Sequence, residues 1–520
     1  MGASKLLGIV RESLMAWAFG TSAIVDAFRV AQSGIFLIIH VFAGSVMESA
    51  FQPTFKHHLA AGRPRVAWRT AWLTGRSLAA IGSVLAIALL VLPGVATRAL
   101  APGFDAERTR LTTAFFRVMA VALPFGMLVS FLISLSGGLY RFRVPALRAV
   151  VQNLAVLGGI VAAIATGSNL LLGVSIPLSQ VVMCALLLIA LRHVGRRAPR
   201  GSTRRDRIAW RYFGFVLAPG LALVLLEQAN LVVERIVGSR LPEGSIASLD
   251  YARFLVETPV VTIGLGITQT LLPRLADFDA SGERERFLQT TRTLVLACLW
   301  ALLPVSVWLL GFGDDLVRVL YRRGAFDEES VRTTSSALSG FAIGLWAWFG
   351  ATLLQRAFYA RRRAGLLLPL TGGSLVVFGL FAWHASQRIG VGGVSLAFAV
   401  SQILFFLGCL FVLGWSIARS ILPVLAYMLA GAAILWALGP GIVPPMPALP
   451  HLLVGAALIG LAWMGWTAMH PGTRRLALAT VRRVRGGGAG EGGTGGSGAG
   501  EGGTGGGGAG GGGVGGGDDS

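Results

Sequence analysis

The chain has 520 residues, 54% of them hydrophobic and 13% charged, with 45 Lys and Arg against 24 Asp and Glu and a net charge of +21. Apolar runs of about 20 residues, the length that crosses a bilayer, recur almost end to end, which excludes a soluble domain and makes this an all-α polytopic membrane protein. The basic excess also excludes a nucleic-acid surface. With a cytoplasmic N-terminus, the connections after even-numbered helices and the C-terminal tail hold about 29 Lys and Arg, and those after odd-numbered helices about 9, the positive-inside pattern.

Reading the runs between basic or Pro/Gly-rich breaks predicts about 14 transmembrane helices. They fall near residues 7–30, 31–52, 77–96, 112–136, 145–166, 170–190, 213–237, 253–272, 294–312, 333–358, 366–384, 391–414, 421–438 and 449–469. The first carries Arg11, Glu12, Asp26 and Arg29, and the second ends at Glu48 and the run Ala50-Phe51-Gln52-Pro53-Thr54-Phe55. A charge inside a spanning helix costs about 2.5–3.5 kcal/mol, so four of them need a wet, protein-lined surface to face. The same charges interrupt the first apolar segment, so it is expected to remain as helix 1 and not to be cleaved as a signal peptide.

Between helices 6 and 7 lie Arg192, Arg196, Arg197, Arg200, Arg204, Arg205, Arg207 and Arg211, a cluster that sets orientation and suits contact with anionic headgroups. Helix 7 carries Glu227, Gln228, Asn230, Glu234 and Arg235. Glu227 and Glu234 are two turns apart and share a face with Asn230. Glu227 is expected in the cavity; Glu234 either joins it or snorkels to the interface. Helix 8 follows a loop over Ser248–Ala252, and its Arg253 and Glu257 are spaced to pair along one face, beside the cavity or as an exposed pair at the helix entrance. Pro259 predicts a kink there.

Four landmarks recur in order: Pro53 with Pro273, the loop from Leu100 to Asp105 with that from Arg322 to Asp327, Tyr140 with Tyr359, and Pro145 with Pro369. That spacing is a repeat of about six helices, and an even number gives both copies the same orientation, a parallel repeat. The expected organisation is an N-terminal lobe over 1–200, a C-terminal lobe over 201–420 and two accessory helices with a basic cytoplasmic end over 421–485. The Gly-rich tail, 486–520, cannot bury a core.

No Walker loop, HExxH or nucleophile elbow occurs, and no polar connection is long enough for a catalytic domain, so no enzyme activity is expected. Cys184, Cys298 and Cys409 are isolated in apolar helices, and His57 and His58 point to different sides of a helix. Neither a metal nor a cofactor is called for.

Several short runs carry a likeness: Lys5 to Glu12, Asp26-Ala27-Phe28, Ala50 to Phe55, Leu100 to Phe104, Arg143 to Ala146, Gln152-Asn153-Leu154, Leu271 to Leu275, Arg323 to Asp327 and Ala357 to Ala360. Their order and spacing resemble the MurJ/MviN family of lipid II flippases, within the MOP exporter superfamily. The resemblance implies two six-helix lobes plus two helices around a central cationic cavity. It also implies alternating access that carries an undecaprenyl-pyrophosphate-linked peptidoglycan precursor, lipid II, from the inner to the outer leaflet of the bacterial cytoplasmic membrane. The partners implied are lipid II, the bilayer and the peptidoglycan-synthesis machinery.

By that resemblance Lys5 and Arg11 contact the headgroup, with Glu12, Asp26 and Glu257 orienting them or closing the gate; Glu48 and Glu227, read from their places in the helices, are expected to join that charge-orienting group. The chain departs from the family pattern at Ile35-Phe36, Ile39-His40 and Gly44-Ser45, and its Arg253 is one residue out of register. Arg29 and Arg253 are expected to supply the missing positive charge. The departures leave open a flippase for another polyprenyl-linked oligosaccharide or a transport-inactive scaffold. A drug/cation antiporter or a membrane glycosyltransferase ranks lower.

Overall fold

The computed structural model describes residues 2–44, 47, 51–195, 224–361, 363–444, 446–471 and 473–474, and among these no strand occurs. The first lobe contains α1 (Gly2–Phe19), α2 (Ala23–Ile39, continued by a π-turn His40–Gly44), α3 (Gln52–Ala60), α4 (Pro64–Val91) and α5 (Pro93–Leu100). It continues with α6 (Ala106–Ala120), α7 (Ala122–Gly138), α8 (Arg148–Thr166) and α9 (Leu170–Gly195). A helix over 224–238, α10, opens the second lobe. There follow α11 (Ser245–Ala280), α12 (Arg284–Tyr321), α13 (Glu328–Ala360), α14 (Leu367–Ile389) and α15 (Val391–Leu413), then α16 (Trp415–Ile442) and α17 (Ala448–Met469).

Among the described residues, ten helices are long and apolar enough to cross a membrane, and α6 with α7, bent by 51°, makes an eleventh if the pair is one span. Adding α1, α10 and α11, which carry the buried charges, is consistent with fourteen. The bend has a local cause: Pro124, in the first turn of α7, removes a backbone donor and its ring presses on the preceding turn.

The first span does not run over 7–30 as its apolar run predicts. It ends at Phe19, Gly20 takes φ +56°, and α2 starts at Ala23 after the extended Ser22. Hydropathy is blind to this break because its flanks are apolar; the signal was Gly-Thr-Ser, a chain reversal followed by an N-cap residue. Asp26 and Arg29 therefore belong to the second helix. Likewise Ser248–Ala252 is helical, inside α11, and not a loop.

The two halves pack alike. In the first, α2 lies on α6, α4 on α7, α7 on α9 and α8 on α9; in the second, α11 and α12 lie on α13, α13 on α15 and α14 on α15. Asp105 and Asp327 cap the matching helices: each carboxylate accepts a 2.8 Å bond from a backbone N–H three residues on, of Arg108 and of Ser330. Short 3-10 turns, Pro145–Leu147 and Ala364–Leu366, lead into α8 and α14. The accessory helices dock on α12, where Trp463 Nε1 donates to Trp300 O at 2.9 Å and Trp308 Nε1 to Leu452 O at 3.1 Å.

Bonds from Ser330 hold the Asp327 carboxyl below the usual carboxylate range of 3.8. Its stabilisation is therefore present above that value and is lost as pH falls through the lower folded one. Asp327→Ala is expected to cost about 1 kcal/mol at neutral pH. The difference in unfolding midpoint from the parent protein should shrink below about pH 4.

Candidate functional site: a paired-charge chamber between the lobes

Where α1 and α2 face α10 and α11, a chamber of about 330 Å³ is lined by Arg11, Glu12, Arg29, His40, Arg235, Asp250, Arg253 and Glu257. Its centre is Glu12, 1% exposed, whose two carboxylate oxygens accept from Arg11 and Arg29. Arg11 Nη1 also donates to Asn153 Oδ1 at 2.9 Å, and Asn153 Nδ2 donates to Ser4 O at 2.9 Å, so α8 fixes α1 in rotation.

The second lobe completes the network. Arg235 Nη2 donates to Asp250 Oδ1 at 2.6 Å, Arg29 Nε lies 3.7 Å from Asp250 Oδ2, and Arg235 Nε donates to Ser33 Oγ at 3.2 Å. Arg253 is bonded to Glu234, its guanidinium 4.7 Å from the ring centre of Phe341 and 4.9 Å from that of Phe398. Lys5 Nζ donates to Thr258 O at 3.1 Å, a further tie between α1 and α11. Four arginines, 11, 29, 235 and 253, thus face four carboxylates, 12, 234, 250 and 257, among the described residues. A buried charge is tolerable only when paired, and here the pairing spans two lobes.

A second cavity, about 440 Å³, opens inside the C-terminal lobe, with Glu227, Asn230, Glu234, Glu257, Thr371 and Gln402 on its wall. Glu227 and Glu234 do share a face, and Glu234, 1% exposed, points inward and does not snorkel. No ion pair joins Arg253 to Glu257 among the described residues; Glu234 on the neighbouring helix takes that arginine.

At one end of the bundle the lobes are sealed. Asp26 accepts from the backbone N–H groups of Gly244 and Ala247, both at 2.8 Å, and so caps α11 from the opposite lobe. Ala23 N donates to Glu243 Oε1 at 2.6 Å, Ala325 N to Trp17 O at 2.9 Å, and Thr21 Oγ1 lies 2.8 Å from Ser330 Oγ. Backbones approach so closely that a Cβ on Gly244, whose φ is +81°, would stand 2.1 Å from Thr21 O.

A sequence model described as Lipid II flippase MurJ matches residues 15–458. The chain belongs to this family. Similar MurJ relatives include the probable lipid II flippase MurJ of Rhizobium tropici, 29% identical over 413 residues and covering 76% of each chain. The lipid II flippase MurJ of Burkholderia cenocepacia is 28% identical over 442 residues, 78% of this chain and 81% of that one. Among solved structures, a MurJ described as inward closed superposes with TM-score 0.76 at 19% identity, over 90% of this chain and 97% of that one. An inward-facing MATE family multidrug transporter of the MOP superfamily gives 0.67 at 15% identity, over 81% and 95%. These likenesses place the chain on the MurJ-type fold.

On this MurJ fold, Arg11, Glu12, Arg29, Arg253 and Glu257 come together in the chamber between the lobes. Glu227 borders only the second cavity, and Asp26 lies in the seal. Glu48 lies outside the described residues, as do Arg196 to Arg211 and the Gly-rich tail. Asp250 and Asn153 are the members that sequence reasoning missed. Asp250 was hidden by a turn-like Ser-Leu-Asp-Tyr context, although it stands three residues before Arg253, on the same helical face.

Proposed function

We propose that this chain moves lipid II from the inner to the outer leaflet of a bacterial cytoplasmic membrane by alternating access between its two lobes. The observation that carries the reading is the Arg11–Glu12–Arg29 bridge in the interlobe chamber. A pyrophosphate offers the oxygens that planar guanidinium forks bind best. Its arrival exchanges one anion for another: phosphate oxygens replace the Glu12 carboxylate on Arg11 and Arg29, so no bare cation is exposed at any stage. The polyprenyl tail stays in the bilayer, and only the polar head crosses.

With both termini cytoplasmic, as the distribution of basic residues favours, the seal at Asp26 lies on the periplasmic side. The chamber is then loaded from the cytoplasm, between an N-terminal lobe over 1–200 and a C-terminal lobe over 201–420. Peptidoglycan-building enzymes would consume what is delivered.

The test is rescue of cells depleted of their lipid II flippase, paired with leaflet exchange in proteoliposomes. The parent chain is expected to restore growth, and Arg11→Ala, Arg29→Ala and Arg253→Ala each to abolish exchange at normal protein levels. Intact exchange in all three variants overturns the role given to the bridge. The departures at Ile35-Phe36 and Ile39-His40 favour one second reading, a flippase for a different polyprenyl-pyrophosphate glycan. Failure to rescue, together with exchange of such a glycan, would select it.

A further inference from the structure

We propose that the turn between α7 and α8 holds the phosphate headgroup of an anionic phospholipid, at a site separate from the chamber. A cavity of about 360 Å³ there is walled by Ser136, Tyr140, Arg141, Phe142, Arg143 and Leu191, among others. Tyr140 is the one non-glycine residue with positive φ among the described residues, at 57°. Side chains with a Cβ usually avoid that conformation, which here closes the C-terminal cap of α7 at a position where glycine is usual. Here Arg141 N donates to Ser136 O at 2.8 Å and Tyr140 N to Gly137 O at 3.2 Å, and Lys56 Nζ stands 4.4 Å over the Tyr140 ring. Tyr140 is left 74% exposed beside an exposed Phe142, and Arg141 Nη1 is anchored on Ala190 O at 3.1 Å.

The internal repeat supplies a control. In the second lobe the matching turn, after Tyr359, carries Arg361, which meets Asp279 at 3.6 Å and lies 5.5 Å over Phe287. With the repeats aligned on Pro53 and Pro273, the first-lobe counterparts of Asp277 and Asp279 are His57 and Leu59. The first lobe keeps the basic turn without its acid. No carboxylate lines the first-lobe cavity among the described residues, and neither Arg141 nor Arg143 forms an ion pair there. Among the described residues, the fold does not supply the anion.

A lipid supplies it better than a soluble phosphate. Leu147 and Leu154 of the neighbouring turn and α8, and Leu188 and Ile189 of α9, are exposed apolar residues along which acyl chains can run. Exposed Tyr and Phe beside arginines have the composition of an interfacial belt, and basic pockets at helix ends on the cytoplasmic side take anionic headgroups.

The full-length protein, equilibrated in detergent with equal amounts of phosphatidylglycerol, phosphatidylcholine and a polyprenyl phosphate, is weighed by native mass spectrometry. Selective retention of phosphatidylglycerol is expected, falling about fivefold for each arginine removed in R141Q and R143Q. Tyr140→Gly, which relaxes the left-handed turn, should keep the unfolding midpoint and also lose lipid, so the site stays testable if the arginine variants fold poorly. Excess glycerol phosphate is expected to leave retention unchanged. Equal retention by all variants overturns the proposal. Displacement by glycerol phosphate overturns it in favour of a soluble ligand, and preference for a polyprenyl phosphate in favour of substrate loading.

Discussion

Replacing Glu12 with glutamine should destabilise the protein by about 3–5 kcal/mol, the cost of leaving a buried partner charge uncompensated. Its side chain is 2% exposed, and those of Arg29 and Arg11 are 10% and 15% exposed, so water cannot take over the role of counter-ion. The double variant Glu12→Gln/Arg29→Gln removes one charge of each sign and should recover most of the loss, a coupling that a thermal-unfolding cycle in detergent resolves. Transport should fail in both. Should Glu12→Gln unfold at the parent temperature, Glu12 is not what holds the two arginines, and the anion-exchange account of substrate entry falls with it.

The second large effect belongs to the seal. A Cβ at position 244 meets a backbone oxygen that cannot swing aside, at 2.1 Å, and the residue already sits at φ +81°. Gly244→Ala is expected to hold the lobes apart at that end and to shift the population toward the opposite opening. Spin labels at Val95 and Ile389, exposed near that end on the two lobes, should report a longer distance in a pulsed electron–electron resonance measurement. Gly62→Ala is the control: it carries the same backbone strain, about 1–2 kcal/mol, at φ +68° but with nothing within 4 Å. If both variants leave the distance unchanged, the Gly244 contact does not close the path. Asp26→Ala should move the distance the same way by a smaller amount, since it removes two cap bonds without adding a wedge.

What the residues disclosed in advance was periodicity and the need for partners. Long apolar runs located the spans, and the matched loops ending in Asp105 and Asp327 revealed the duplication, because both features are written over contiguous stretches. Charges inside those runs marked Arg11, Glu12, Arg29 and Arg253 as exceptional. Who pairs with whom was not legible. Asp26 reaches over two hundred residues along the chain to cap α11, and Arg253 turns to Glu234 on a neighbouring helix although Glu257 is spaced for it on its own. Such choices depend on how helices are rotated about their axes, which side-chain spacing along one helix does not determine. The break at Gly20 escaped for a different reason: the reversal is made among small and apolar residues that hydropathy reads as continuous.

Because the four chamber guanidiniums face four carboxylates, the unloaded chamber itself presents almost no net charge to the electric field across the membrane. In the proposed cycle, work by that field, about 2.3 kcal/mol per elementary charge per 100 mV, would therefore fall on the cargo's phosphates. A potential negative inside would push the anionic head outward and leave the empty protein free to swing back without electrical cost.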